Sequence, residues 1–349
     1  MLLEACGSLS ATPNRTRNGK GAAMKAWLVE RITDAGEMRL AECPAPQPGP
    51  QDYLIKVEAA GVNFLDTLML RGRYQRKPAL PFVPGVEVVG TVIAAGADAP
   101  LAAGSRICAS IETGAFAEQA LVPAGTAHPV PDDVPGEAAL VLLGVNYPTG
   151  YYALHNRANL QSGETVLVHA AAGGVGSAAV QLAKAAGCRV IATAGTADKR
   201  ALCREQGADE VVDYTEPDWV DRVRVVTDGA GADVIYDPVG GEIGVQSLRC
   251  LAWRGRYLVI GFAAGAIPDL PANRLLLKDA SAMGVFWGEV CKRDPAAAEA
   301  VAQAVLSLYR AGSLLPLIGA RFPLQDAREA LDRLGRRETV GKVLVCPTA

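Results

Sequence analysis

Residues 165–187 read TVLVHAAAGGVGSAAVQLAKAAG: an apolar run, a knot of small residues, then helical spacing. Glycines between a strand and a helix let the backbone approach a phosphate, while the helix N-terminus offers N–H donors and partial positive charge. Aligned on the dinucleotide pattern G-x-G-x-x-G, the chain supplies Ala171, Gly173 and Gly176, with Gly174 and Val175 between them. The pattern alone is weak, but a strand before it and a helix after it are the context it requires. A tight turn that binds nothing is the plainer alternative, and the strand-like segments downstream weigh against it.

Those segments set the fold class, α/β. CRVIATAG, DEVVDY, ADVIYDPVG, GRYLVIGFAAG and SAMGVFWG alternate with helical or loop connections. Apolar strands of this kind are buried on both faces, so a doubly wound, six-stranded parallel sheet, a Rossmann domain, is expected over residues 147–310. Before it, LIKVEAAGV, VEVVGTVIAAG, SRICAS and AFAEQALVP are short strands punctuated by proline and glycine, as in an irregular β domain. The tail carries helices in AAAEAVAQAVLSLYRAG and DAREALDRLGRR and a last strand in GKVLVCP. It is read as returning to the first domain, which then comprises 24–146 with 311–349. Residues 1–23 are read as a flexible extension, because Glu4 interrupts their one apolar patch and a signal peptide needs it intact.

Composition narrows the partners. The 349 residues carry a net charge of −3 with no basic run, which argues against nucleic acid and against a membrane surface. No stretch approaches the roughly 18 uninterrupted apolar residues of a membrane span. The eight cysteines are spaced as free thiols rather than as a disulfide framework, which suits a cytoplasmic protein.

The strand that follows the glycine loop bears on the nicotinamide. An acid about 20 residues beyond the loop would grip a ribose 2′-hydroxyl. This chain has Ala194-Gly195-Thr196 there, followed by Lys199 and Arg200. With a hydroxyl and a cation in place of a carboxylate, the 2′-phosphate of NADPH is favoured over NADH. A solvated helix face is the commoner fate of such a lysine, and its position at a strand end is what sets Lys199 apart.

GVNFLDTLMLRGRY, PFVPGVEVVGTV, HAAAGGVGSAAVQLAK and YDPVGG together resemble the medium-chain dehydrogenase/reductase superfamily, in its zinc-independent quinone oxidoreductase branch related to zeta-crystallin. The resemblance implies a GroES-like catalytic domain ahead of the Rossmann domain. Zinc-dependent members have Cys where this chain has Val62 or Asn63, His where it has Val86, and a four-cysteine lobe where it reads ASIETGAFAEQ. Zinc needs three or four such ligands placed tetrahedrally, so no metal site is expected. His128, His155 and His169 share no ligand spacing and read as packing or hydrogen-bonded residues.

Without a Lewis acid, the fitting substrates are quinones or α,β-unsaturated carbonyls, whose reduced anions are delocalised. By the same resemblance, Asn63 reaches the nicotinamide and the substrate carbonyl, Asp66 joins the adjoining polar network and Tyr74 lines the cleft. Many members carry a tyrosine where this chain has Leu68, and that hydroxyl is absent. Asn63 and Asp66 also read simply as a helix N-cap with an acidic first turn. For the cofactor, the resemblance adds Thr149, and Tyr214 beside the 2′-phosphate, to Gly195, Thr196 and Lys199 at the strand end. The turns Gly261-Phe262-Ala263 and Val285-Phe286-Trp287 would hold the nicotinamide half, and Lys342 would close the site. Family members pair the edge strand 281–287 between two subunits, which implies a homodimer. Alternatives on this scaffold are an enoyl-thioester or alkenal double-bond reductase and a non-catalytic NADPH-binding protein.

Overall fold

The computed structural model describes residues 23–347. Of the extension expected over 1–23, all but Ala23 lies outside them, as does Cys6; Ala23 itself opens a strand. β1 (Ala23–Leu28) pairs antiparallel with β2 (Arg39–Pro44). β2 has no counterpart among the expected strands, because RLAECP has no apolar pattern and is a strand through its pairing. β3 (Asp52–Val62) is the long central strand of a larger sheet, followed by α1 (Phe64–Leu70), β4 (Glu87–Ala95), β5 (Arg106–Ser110), β6 (Gln119–Pro123) and β7 (Ala127–Pro129). Helices α2 (Gly136–Leu143) and α3 (Asn146–Tyr151) then carry the chain to the second sheet.

The second half alternates as its sequence predicts. β8 (Thr165–Val168), α4 (Gly174–Ala185), β9 (Arg189–Thr193), α5 (Ala197–Glu205), β10 (Glu210–Val212) and α6 (Trp219–Val226) form one arm. β11 (Ala232–Asp237), α7 (Gly241–Ser247), β12 (Leu251–Val259), α8 (Ala272–Leu276) and β13 (Ser281–Gly284) form the other. The six strands are parallel in the order β10-β9-β8-β11-β12-β13. The order reverses between β8 and β11, and a crevice opens at such a point beyond the carboxyl ends of the strands. β13 lies at the edge as expected but is shorter than the expected 281–287: it ends at Gly284, and Trp287 opens the helix that follows, so the aromatic pair leaves the strand.

After α9 (Trp287–Arg293) and α10 (Pro295–Arg310), the chain returns to the first sheet through β14 (Ile318–Pro323), α11 (Ala327–Gly335) and β15 (Lys342–Cys346). β15 lies antiparallel to β3. The start of α10 is fixed locally: the Asp294 carboxylate accepts from the Ala297 amide at 3.0 Å, with Pro295 at the first helical position.

One apolar cluster crosses between the two sheets. Leu140, Leu143 and Tyr147 of the connecting helices pack with Leu182 of α4 and Leu344 of β15. Each buried leucine in such a cluster contributes about 1.5–3 kcal/mol, so the two halves are held together by shared core and the cleft between them has firm walls. A second cluster fills the first sheet around Ile55, Val88 and Phe116, and a third covers the outer face of the parallel sheet around Ile191, Trp219 and Ile235.

Candidate active site

The glycine loop sits at the reversal point. Gly173 caps α4, and a Cβ on Gly176 would lie 2.3 Å from the Ala170 carbonyl oxygen and 2.8 Å from the Ala171 Cα. Only glycine lets α4 come this close to the end of β8. A Cβ on Gly174 would strike the Asn146 side-chain amide at 2.3 Å. The C-terminal segment clasps the loop from outside, where the Gly341 amide donates to the Ala172 carbonyl at 2.8 Å.

In front of this loop lies a cavity of about 1040 Å³ between the two sheets. Gly195, Lys199, Tyr214 and Arg337 line one end; Gly173, Val175, Gly261 and Val285 line its middle; Asn63, Leu68, Tyr74, Val86 and Ile111 line the other. At the first end, Thr196 is the N-cap of α5 and its hydroxyl accepts from the Lys199 amide at 3.3 Å. The Lys199 ammonium donates to the Arg337 carbonyl at 2.5 Å, and the Arg337 guanidinium donates to the Ala263 carbonyl at 3.3 Å. Burial and the Arg337 charge lower the Lys199 pKa; burial raises that of the Tyr214 phenol, against the pull of Arg337. Two cations and a phenol therefore converge where no carboxylate lines the wall, an arrangement that fits a phosphate. Arg200 is turned elsewhere, paired with Asp213 at 2.5 Å.

At the opposite end, Asn63 is the N-cap of α1, and its side chain is gripped by a buried ion pair. Lys342 Nζ donates to Asn63 Oδ1 and to Glu87 Oε2, both at 2.8 Å, and Asn63 Nδ2 donates to Glu87 Oε2 at 2.9 Å. The second Asn63 N–H points to the Gly61 carbonyl at a longer 3.3 Å. Lys342 and Glu87 fix which way the amide faces. Space for them depends on Gly61, whose Cβ would lie 2.6 Å from Lys342 Cε and 2.7 Å from the Glu87 carboxyl. Asp66 accepts from the Asn63 backbone amide at 2.8 Å, and its other oxygen is buried without a partner. Burial pushes its carboxyl up to about 7, against the pull of the Asn63 amide and of Lys342. The Tyr74 phenol is half-buried and raised by that burial.

Most residues expected at the site line this cavity: Asn63, Tyr74, Thr149, Gly173, Val175, Gly195, Lys199, Tyr214, Gly261, Phe262, Ala263, Val285, Phe286 and Trp287. Four do not. Gly174 and Thr196 are in the helix starts, and Asp66 and Lys342 lie behind Asn63, so Lys342 supports the floor instead of closing the site. Glu87, Asn146, Arg76 and Arg337 also stand at the site, though no motif in the sequence marks them as site residues. A carboxylate inside the apolar run VEVVGTV is a visible signal for Glu87; Arg337 becomes relevant only once the tail returns to the loop. At the mouth, Arg76 donates to Glu289 at 2.6 Å and stands over the Phe286 ring, while Lys292 pairs with Glu112 at 2.5 Å.

A GroES-like β domain joined to a parallel sheet with a dinucleotide-type loop at its reversal point defines a medium-chain dehydrogenase/reductase. The alcohol dehydrogenase GroES-like domain family matches residues 49–132, and the zinc-binding dehydrogenase family matches residues 174–309. Over 304 residues, 86% of this chain and 87% of the other, the chain is 40% identical to quinone oxidoreductase-like protein 2 of Rattus norvegicus. A mycobacterial protein solved with NADPH superposes with a TM-score of 0.87 at 37% identity, covering 93% of this chain and all of that one. The Escherichia coli quinone oxidoreductase, also solved with NADPH, gives 0.86 at 28% identity over 93% of this chain and 100% of its own. The chain belongs to the quinone oxidoreductase family of the medium-chain superfamily.

Proposed function

We propose that this chain is an NADPH-dependent reductase of quinones or α,β-unsaturated carbonyls that works without zinc. The observation that carries the proposal is the cavity itself. It runs from a phosphate-suited end at Lys199 and Arg337, past the glycine loop, to an end where Asn63 and Tyr74 stand among the apolar residues Leu68, Val86 and Ile111.

NADPH, when bound, supplies a hydride from its nicotinamide. The chain's own residues bind and orient. The α4 N-terminus and Gly173 receive the pyrophosphate, and Lys199, Tyr214 and Arg337 hold the 2′-phosphate. Gly261, Val285 and Trp287 form the wall against which the nicotinamide half lies. Leu68, Val86 and Ile111 exclude water from a planar substrate. With the amide plane held by Lys342 and Glu87, the Asn63 N–H directed at Gly61 makes the longer and weaker of its two bonds, so it is the one left able to donate to a substrate oxygen brought beside it. The proton comes from solvent.

Independence from zinc is supported by what occupies the position where zinc-dependent relatives carry ligands. Val86 is apolar and packed into the core, and Glu87 Oε2 is already held by Lys342 and Asn63. The match to a family described as zinc-binding makes this a point to test directly.

A domain division at 24–146 with 311–349 against 147–310 belongs to the proposal, supported by β14 and β15 joining the first sheet. So does a homodimer through 281–287, supported by the outward, largely exposed residues of β13 at the sheet edge. A cytoplasmic location is supported by the free thiols among the described cysteines. Among the described residues, no helix is long and apolar enough to cross a membrane.

The test follows nucleotide oxidation by absorbance, NADPH beside NADH, with 1,4-benzoquinone, 9,10-phenanthrenequinone, an alkenal and crotonyl-CoA. Turnover with quinones or the alkenal, preferring NADPH and unchanged by a chelator, is the expected result. Silence with every acceptor despite measurable NADPH binding overturns the enzyme; loss of activity on chelation overturns the metal-free mechanism.

A further inference from the structure

A second concavity, of about 370 Å³, lies at the other end of the parallel sheet. The dinucleotide cleft opens beyond the carboxyl ends of the strands, at Gly173, Gly195 and Pro238. This one is formed where β11, β12 and β13 begin: Gly231 precedes β11, Cys250 precedes β12 and Lys278 leads into β13. The six residues of β11 separate the two by about 20 Å.

Its walls carry Arg224, Arg249, Arg274 and Lys278, and no carboxylate lines it. Among the described residues, none of the three guanidinium groups has a hydrogen-bond or ion-pair partner, in a chain whose net charge is −3. Lys278 is held in place: its ammonium donates to the Arg249 carbonyl at 3.1 Å and to the Leu251 carbonyl, which leaves its third N–H for a ligand. Burial, and then the charges of Arg224 and Arg274, lower its pKa, so these cations feel one another across the concavity. Like charges gathered without counter-charge cost free energy that a bound anion would recover. Trp253, 65% exposed, forms part of the same wall and offers an aromatic face.

We propose that this concavity is a binding site for a small phosphate-bearing molecule, held by Arg224, Arg249, Arg274 and Lys278 and distinct from the dinucleotide cleft. Three planar forks around one depression suit a phosphate's several oxygens, and Arg binds such groups bidentately. The volume is at the low end for ligand sites, which limits the occupant to a free phosphate, a pyrophosphate or a mononucleotide. A mononucleotide would add stacking of its base on Trp253.

The test is calorimetric titration of the full chain with pyrophosphate, AMP and adenosine, using wild type, R249Q/R274Q and the cleft variant K199Q/R337Q. Both arginines of the first pair are exposed and partnerless, so their removal leaves the fold undisturbed, which a thermal melt checks. Pyrophosphate or AMP binding that weakens at least about tenfold in R249Q/R274Q, and persists in K199Q/R337Q, is expected. AMP binding that also weakens in W253L, with pyrophosphate unchanged, identifies a nucleotide; no effect of W253L identifies the phosphate group alone. Absence of binding, binding lost only in the cleft variant, or a change of oligomeric state in R249Q/R274Q without a change in anion affinity overturns the site.

Discussion

Lys342 Nζ lies 2.8 Å from Glu87 Oε2 across 255 residues of chain, with the two side chains 2% and 0% exposed. The pair joins the last strand to the fourth and supports the Asn63 amide between them. Removing one partner leaves the other charge buried and uncompensated, which costs about 3–5 kcal/mol. Glu87→Gln and Lys342→Met are each expected to lose that much by urea denaturation, and the double variant to recover part of it. Single variants within about 1 kcal/mol of wild type would mean that other contacts hold the floor.

The proposed function assigns Arg337 to the 2′-phosphate, and with it a preference for NADPH. Arg337→Gln removes a charged donor from the phosphate end, and a hydrogen bond to a charged group is worth about 1.5–3 kcal/mol. The NADPH KM is therefore expected to rise about 10- to 100-fold with the NADH KM unchanged. Lys199→Gln should act less strongly, because its ammonium already bonds the Arg337 carbonyl. Equal effects on both nucleotides would assign Arg337 to the fold and not to the phosphate.

Local signals reached some of this and not the rest. The six parallel strands and the loop around Gly173 are written in contiguous apolar runs and in glycines, so they can be read along the chain. The Rossmann edge at β13 follows from the same pattern. Arg337 and Lys342 could not be placed at their true depth, because their positions depend on the tail rejoining β3, a long-range pairing with no local signature. The resemblance implies that Lys342 closes the site; the packed structure has it buried against Glu87 behind Asn63 instead. Asn63 reads as well for a helix cap as for a site residue, and Asp66 chiefly as part of the cap. In the structure Asp66 holds the Asn63 backbone, while the Asn63 side chain lines the cavity and faces the ion pair.

The mouth of the cleft is tied by Arg76 to Glu289 and by Lys292 to Glu112, with all four side chains partly exposed. Exposed pairs are weak and screened by salt. Glu289→Gln should thus change the acceptor KM by only about two- to fivefold at low ionic strength, and the difference should vanish by about 0.5 M salt. A salt-independent effect would point to the Arg76–Phe286 contact instead.

Asp66 links stability to pH in the direction opposite to most acids. Its carboxyl is raised from 3.8 to about 7, chiefly by burial, so between these values the folded chain holds a proton that the unfolded chain has released. Its contribution is fully present below about pH 4 and is lost as pH rises through about 7, a span worth a few kcal/mol. Asp66→Asn cannot ionise and keeps an oxygen to accept from the Asn63 amide. The variant is expected to gain on wild type steadily from pH 4 to pH 8 in urea denaturation, with no further gain above. A stability difference that is flat across this range would show that Asp66 stays ionised in the folded chain, stabilised by Lys342 more strongly than burial opposes it.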